Sequence, residues 1–386
     1  MKNKKEKIIV ALSGGIDSSY VIYLLKQNPE YEIEAVFMRN WDRYLNNDLN
    51  ELKNNLKQED FCDSIKEYEV AQKVAKFFKV KLHFVNFVDQ YFQKVFLNFL
   101  NNLKQGLTPN PDVLCNQKIK FGIFLEYVLK KYNASYIASG HYAKKIFNPK
   151  INEFQLLIPK DKNKDQTYFL SLLNQDMLKK SLFPLENILK TQIRKNAKAL
   201  NFPNSTKKDS SGICFIGKRN YQSFLGNYLP IKKGDTIDIL QKKIIGIHNG
   251  VYFYTINQRK NLNLSGFDAP YYVVGKNIQK NILYVANQNL KYYLNANRVF
   301  INQVHFINQS NYQFKELDCL FMFKYRQKKI KGKLLKINNL EYKIILEKST
   351  NHITNGQYAV FYQNDVCLGC GVITKSYFNE RMLQQY

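Results

Sequence analysis

No apolar run in the 386-residue sequence approaches the ~20 residues that a membrane-spanning helix needs. The opening MKNKKEK passes at once into an apolar strand and is too short for a signal or transit peptide, so the expectation is a cytoplasmic protein with no membrane partner. Cysteine is sparse: six residues (Cys62, Cys115, Cys214, Cys319, Cys367, Cys370) are scattered along a large chain, which excludes a secreted disulfide scaffold and suggests cytosolic thiols used chemically. Acid is the scarce charge. Asp plus Glu number 31 against 58 Lys plus Arg, a net charge of +27 that attracts polyanions, nucleic acid first. Internal repeats and long disordered linkers are also missing. What remains is a chain long enough for two or three domains, each with its own core.

The most informative stretch is Lys7 to Ser19, KIIVALSGGIDSS. The apolar run Ile8 to Leu12 ends at Ser13-Gly14-Gly15, and the apolar positions Val21, Ile22, Leu24 and Leu25 then recur at helical spacing. Strand, tight loop and helix follow one another. Two glycines allow a close backbone approach to an anion, Ser13 and Ser18 offer hydroxyls, and the free N–H groups of a helix start favour phosphate. Asp17 would repel phosphate unless a hard cation such as Mg²⁺ lay between them, so it reads as a metal-side group. The loop has neither the Gly-Lys-Ser/Thr ending of a Walker loop nor the G-x-G-x-x-G of a dinucleotide fold. It resembles the PP-loop of ATP pyrophosphatases, which split ATP between its α and β phosphates.

Buried strands at Ile33 to Met38, Leu82 to Phe87 and Tyr136 to Ser139 alternate with helical patterns, which predicts a doubly wound parallel sheet, an α/β domain with its ligand at the C-terminal strand ends. Gly106 to Asp112, with Pro109 and Pro111, reads as a rigid loop presenting Asn110, Asp112 and Cys115, with a helix from about Lys118. Gly140-His141 closes a strand, and Lys164 to Leu170 reads as a helix start capped by Asp165. Cys214 lies between Gly212 and Gly217 in a segment those glycines would let move. Period-two segments at Ile244 to Ile247, Val251 to Ile256, Tyr271 to Val274 and Ile282 to Val285 predict a small β-rich domain. Strands at Phe321 to Tyr325 and Tyr342 to Leu346, and a hairpin over Tyr358 to Ile373 turning at Asn364-Asp365, predict an antiparallel β-barrel. The expected domains are 1–210, 211–290 and 291–386. Cys367-Leu368-Gly369-Cys370 has the spacing of half a zinc site, but no second Cys/His pair accompanies it, and structural thiols are the better reading.

Taken in order, SGGIDSS, FMRNWD, TPNPDVLCNQKIKFG, ASGHYA, KDQTYFL, SSGICFIG, GIHNGVYFYTINQR, KYRQ and GQYAVFYQNDVCLG resemble the tRNA-specific 2-thiouridylase family from end to end. The resemblance implies a PP-loop domain, a central β domain and a C-terminal β-barrel that contacts tRNA. It implies synthesis of 2-thiouridine at the wobble position of certain tRNAs from ATP and a persulfide. ATP binding falls on Ala11, Leu12, Ser13, Gly14, Gly15, Ile16, Asp17, Ser18, Met38 and Gly140. The target base meets Asn110, Pro111 and Asp112. Contact with tRNA falls on His141, Lys164, Asp165, Gln166, Lys324, Tyr325 and Gln357. Cys115 and Cys214 are the two chemical cysteines. The sequence departs from the family pattern at Lys324, where Arg is usual, and at Asn257 and Cys370, where Gly is usual.

The chemistry agrees with the resemblance. A uridine C2 oxygen is a poor leaving group and needs adenylation, and sulfur must then arrive as a nucleophile such as a cysteine persulfide. Cys214 is expected to carry the persulfide, loaded by a sulfur-relay or cysteine desulfurase protein. Cys115 is expected to attack it, releasing sulfide or the finished product, and leave a Cys115–Cys214 disulfide, with Asp112, three residues earlier, as general base. Two other classes stay in play: an amidating ATP pyrophosphatase acting on a small acceptor, and a non-catalytic RNA-binding protein on a nucleotide fold.

Overall fold

A computed structural model describes residues 5–49, 63–209, 219–287, 293–308, 314–378 and 381–383. The first strands are β1 (Glu6–Ala11), β2 (Tyr31–Arg39), β3 (Lys81–Asn86) and β4 (Tyr136–Ala138), followed by the hairpin β5 (Lys144–Asn148) and β6 (Glu153–Leu157) and by β7 (Ser181–Leu182). A parallel sheet of order β3-β2-β1-β4-β7 forms the first domain. Side chains alternate across β1 because successive residues of a strand face opposite ways. Ile8 and Val10 pack with helices Ile16–Leu25, Asp63–Phe78 and Lys190–Ala199, and Ile9 and Ala11 pack with the helical stretch over 88–132. Both faces are covered, which is why β1 reads as a continuous apolar run. The doubly wound α/β expectation holds.

The central domain contains β8 (Gly234–Asp238), β9 (Ile244–His248), β10 (Tyr271–Asn277) and β11 (Ile282–Asn287) in the order β10-β11-β8-β9. The segment expected as a strand at Val251 to Ile256 is instead a 3-10 turn at Val251–Phe253. Gly250, at φ +138°, turns the chain there, His248 Nδ1 accepts from Gly250 N at 2.9 Å, and Asn281 Oδ1 accepts from Val251 N at 3.3 Å. These local partners take the donors that a strand would need.

The last domain is built from β12 (Ala296–Phe306), β13 (Glu316–Met322), β14 (Ile330–Lys336), β15 (Glu341–Thr350), β16 (Tyr358–Gln363), β17 (Val366–Phe378) and the short β18 (Arg381–Met382). Strands β12-β15-β14-β13-β16-β17 close through a β12–β17 pairing into a barrel filled by Val299, Ile301, Phe321, Leu334, Ile344 and Phe361. The hairpin expected at Asn364-Asp365 is present between β16 and β17. The strand expected at Phe321 to Tyr325 stops at Met322, because Phe323 N donates to Gln327 Oε1 at 3.0 Å and Gln327 N to Lys324 O at 3.0 Å. Lys324 and Tyr325 therefore stand on a tight turn. The β5–β6 hairpin extends the barrel sheet, with Leu156 paired to Cys367 and Leu157 to Val366, so barrel and first domain share hydrogen bonds. Cys367 and Cys370 are fully buried in that wall as free thiols, and the described residues contain no His/Cys/Asp/Glu group able to hold a metal by itself.

Candidate active site

The loop Leu12 to Gly15 leaves the C-terminal end of β1, and the helix Ile16–Leu25 begins with Gly15 as its N-cap and no side-chain cap, so its first N–H groups stay available. Gly14 adopts φ +71°, and a Cβ there would stand 2.7 Å from Glu67 O. Ser18 Oγ donates to Gly15 O at 2.9 Å and faces Ser13 Oγ at 3.3 Å, which folds the loop on itself. Gly140 follows β4, the neighbour of β1, and a Cβ on it would lie 2.9 Å from Ser18 N. Met38 lies near the end of β2. The residues expected to bind ATP thus gather at adjacent strand ends, around the crevice where doubly wound sheets bind ligands.

Asp17 in the first turn of that helix accepts from Lys190 Nζ at 2.7 Å on both oxygens and from Tyr142 Oη at 2.8 Å on one. Burial and then the nearby Asp17 charge hold the Tyr142 phenol well above its ordinary range. One carboxylate suits a magnesium ion that takes its other ligands from phosphates and water, but Asp17 would have to share with Lys190 or give it up. Lys190 also reaches Asp209 Oδ1 at 2.9 Å, and sequence reading missed it because it lies 173 residues from Asp17.

The Asn110–Cys115 stretch differs from the expected loop. Pro111–Cys115 is a helix with Pro111 in its first turn and Asn110 as N-cap, Oδ1 accepting from Val113 N at 3.4 Å. Proline fits there because the first helical N–H has no partner in any case. The helix continues through a π-helical stretch, Asn116–Ile123, into Phe124–Tyr132. Asp112 and Cys115 are three residues apart on one helix, hence on one face. Burial raises the Asp112 carboxyl from 3.8 to about 6 against the pull of Lys120. Burial likewise pushes the Cys115 thiol up to about 11, eased by Lys120 and raised further by Asp112. Lys120, also missed, donates to Asn116 Oδ1 at 3.0 Å and faces His141 Nε2 at 3.3 Å. His141 Nδ1 meets Ser139 Oγ at 2.9 Å, and burial followed by the Lys120 charge keeps the imidazole neutral.

The residues expected to contact tRNA divide among three places. Gln357 of the barrel accepts from Asn110 Nδ2 at 3.4 Å, and Asn355 O accepts from Thr108 N at 2.9 Å, so the barrel loop is docked on the cap of the Cys115 helix. Gln166 Oε1 accepts from Tyr142 N at 2.9 Å beside His141, and Lys164 pairs with Asp209 at 3.0 Å. Asp165, expected as the helix cap, stands one residue earlier: Gln166 is the N-cap, without a side-chain cap bond, and Asp165 Oδ1 accepts from Thr167 N at 3.0 Å. Lys324 and Tyr325 line a cleft of about 820 Å³ with Arg326, Lys328, Lys329 and Lys348, and Tyr325 packs on Phe169 at 4.5 Å. Cys214 lies outside the described residues. Asn257, where the resemblance leads one to expect Gly, adopts φ +68°, a left-handed conformation that asparagine tolerates better than other side chains.

This arrangement defines a nucleotide-binding α/β domain joined to two β modules. Residues 6–218 match the family described as the tRNA methyl transferase HUP domain, 222–287 its PRC-barrel domain, and 297–373 the aminomethyltransferase beta-barrel domain. The chain belongs to the tRNA-specific 2-thiouridylase family. It is 47% identical over 374 residues to tRNA-specific 2-thiouridylase MnmA of Mycoplasma capricolum, covering 96% of this chain and 99% of the relative. It is 44% identical over 383 residues to the protein of that name from Mycoplasmopsis synoviae, covering 99% of each. The domain descriptions speak of methyl transfer and the relatives' names of thiolation. End-to-end identity favours the relatives.

Proposed function

We propose that this protein is an ATP-dependent tRNA 2-thiouridylase that adenylates the C2 oxygen of the wobble uridine, releases pyrophosphate, and replaces that oxygen with persulfide sulfur. The observation that carries the reading is that the Ser13–Ser18 loop, Gly140 and His141 gather at the ends of β1 and β4, with Lys120 linking His141 to the helix of Asp112 and Cys115. In the reading, 1–210 adenylates, 211–290 carries the persulfide segment, and 291–386 grips tRNA. Magnesium would come with ATP, and Asp17 is the residue that would hold it.

The uridine oxygen attacks the α phosphorus, and pyrophosphate leaves. The terminal sulfur of a Cys214 persulfide attacks C2 and AMP departs, leaving C2–S–S–Cys214. The Cys115 thiol gives its proton to Asp112 and attacks the Cys214 sulfur. A Cys115–Cys214 disulfide forms and 2-thiouridine is released. An external thiol reductant regenerates the pair, and a sulfur-relay or cysteine desulfurase protein in the cytoplasm reloads Cys214.

The test is the mass of tRNA after incubation with ATP and a persulfide donor. Sulfur gained for oxygen, with AMP released, supports the reading. AMP without a change in tRNA indicates an amidating pyrophosphatase, and neither product indicates a binding protein. With labelled sulfane sulfur, Cys214→Ser should carry no label, whereas Cys115→Ser should load but not turn over. Label on Cys115 in the Cys214→Ser variant would reverse the roles.

A further inference from the structure

Four cationic side chains converge beside the Gly14–Asp17 turn. Lys190 Nζ lies 2.7 Å from Asp17 and 2.9 Å from Asp209, Lys164 Nζ lies 3.0 Å from Asp209, Arg194 pairs with the same Asp209, and Lys207 Nζ is 3.5 Å from Gly14 O. Against these four charges stand three carboxylates, Asp17, Asp209 and the buried Asp161, whose Oδ2 accepts from Lys190 N at 2.8 Å. Asp209 bridges three of the four, Oδ1 taking Lys190 and Arg194 and Oδ2 taking Lys164. Burial disfavours its charged form, yet Lys190 and Lys164 hold the carboxyl well below its ordinary range. Two oxygens on one centre, each met by cationic donors, is also how a phosphate group is held.

Building on the ATP reading above, we propose that Lys190 and Arg194 bind the β and γ phosphates of ATP, hence the leaving pyrophosphate, and that Asp209 occupies their place when no nucleotide is bound. Three observations favour this ligand over the tRNA backbone. The cluster adjoins the helix start whose N–H groups are available. Lys190 is 7% exposed, too enclosed for a polynucleotide strand. The cations outnumber the carboxylates by one, and expelling Asp209 leaves a further charge to be met by a polyanion. Nucleotide therefore competes with an internal carboxylate, and binding energy is drawn down in displacing it.

Competition gives two variants of opposite sign. Inorganic pyrophosphate binding to the full chain is measured by titration calorimetry, with AMP as the control and a thermal melt to check folding. Asp209→Asn removes the competitor and should tighten pyrophosphate binding several-fold. Lys190→Met should weaken it at least tenfold, and Arg194→Met, half-buried and safer for folding, by several-fold. AMP affinity should stay within about twofold in all three, because AMP lacks the phosphates concerned. Unchanged or weaker pyrophosphate binding in Asp209→Asn overturns the proposal, a result that poor folding of Lys190→Met cannot obscure. Equal losses for AMP and pyrophosphate in Arg194→Met overturn it as well. A wild-type chain that binds neither ATP nor pyrophosphate refutes the ATP reading itself, whereas ATP binding indifferent to all three variants refutes only this inference.

Discussion

Replacing Asp112 by Asn separates three roles that the structure superimposes on one carboxylate. Its carboxyl is raised from 3.8 to about 6 by burial, so at pH 7 it is about nine-tenths ionised and able to accept a proton. The Cys115 thiol, pushed up to about 11, is then ionised in only ~1 molecule in 10⁴. Passing the proton from Cys115 to Asp112 is uphill by at most the difference, about 11 minus about 6, or ~7 kcal/mol, because the Asp112 charge that raises Cys115 is lost as Asp112 takes the proton. That is well inside the ~17 kcal/mol barrier of a reaction turning over about once per second. Asp112→Asn removes the acceptor and should lower turnover by ~10²–10⁴-fold. It also removes a negative charge that opposes the thiolate, so the pH midpoint for Cys115 alkylation, read by peptide mass, should fall. Stability supplies a third sign. A carboxyl whose folded value is raised loses stability as pH climbs through about 6, and a rise from 3.8 is worth up to ~3 kcal/mol at pH 8. Asparagine escapes that cost, so the variant should melt several degrees higher at pH 8, with the gain vanishing below about pH 4. A slow variant that is no more stable at pH 8, or whose Cys115 midpoint rises, would refute this account.

Other perturbations test neighbouring parts of the site. Gly140→Ala places a Cβ 2.9 Å from Ser18 N and 3.1 Å from Asp17 C, both backbone atoms. The forced separation should cost ~1–3 kcal/mol and weaken ATP binding about tenfold or more, with tRNA affinity kept, and calorimetry showing unaltered ATP affinity would mean that the crevice is not where ATP sits. The tRNA affinity should fall steeply with salt, and Lys324→Ala should lower the log–log slope by about one if that lysine meets a phosphate. An unchanged slope in filter binding would place the RNA backbone elsewhere on the barrel.

What could be read from the sequence is what is local. SGGIDSS announces its loop because strand, glycines and helix start are contiguous, and the β16–β17 hairpin is announced by Asn364-Asp365 for the same reason. Pro109 and Pro111 misled: two prolines suggest a loop, whereas Pro111 is compatible with a helix's first turn once Asn110 caps it. Tyr325 reads as strand by its aromatic and apolar neighbours Phe321, Met322 and Phe323, but Gln327 folds back on Phe323 and ends the strand early. Lys120, Lys190 and Asp209 carry no signal of their own among 58 basic and 31 acidic residues. Only the fold brings Lys190 against Asp17 and Asp209, and Lys120 against His141.

That long-range wiring bears on how a reactive sulfur is kept from waste. A resting thiolate at Cys115 could attack any persulfide that came near it, with or without tRNA. Burial opposes this by keeping the thiol protonated, while Asp112 nearby stays ionised and ready to take the proton. Asn110 caps the helix that carries both, and its amide donates to Gln357 of the barrel, a residue assigned to tRNA by the family resemblance. Tyr168 Oη, which donates to Tyr358 O at 3.0 Å, ties the same barrel loop to the helix after Gln166. RNA seated on Gln357 would therefore act directly on the cap of the Cys115 helix rather than through a distant relay. On the proposed reading, the buried, protonated Cys115 and its short mechanical link to the barrel loop would be two sides of one arrangement, in which thiol chemistry waits on the substrate that is to receive the sulfur.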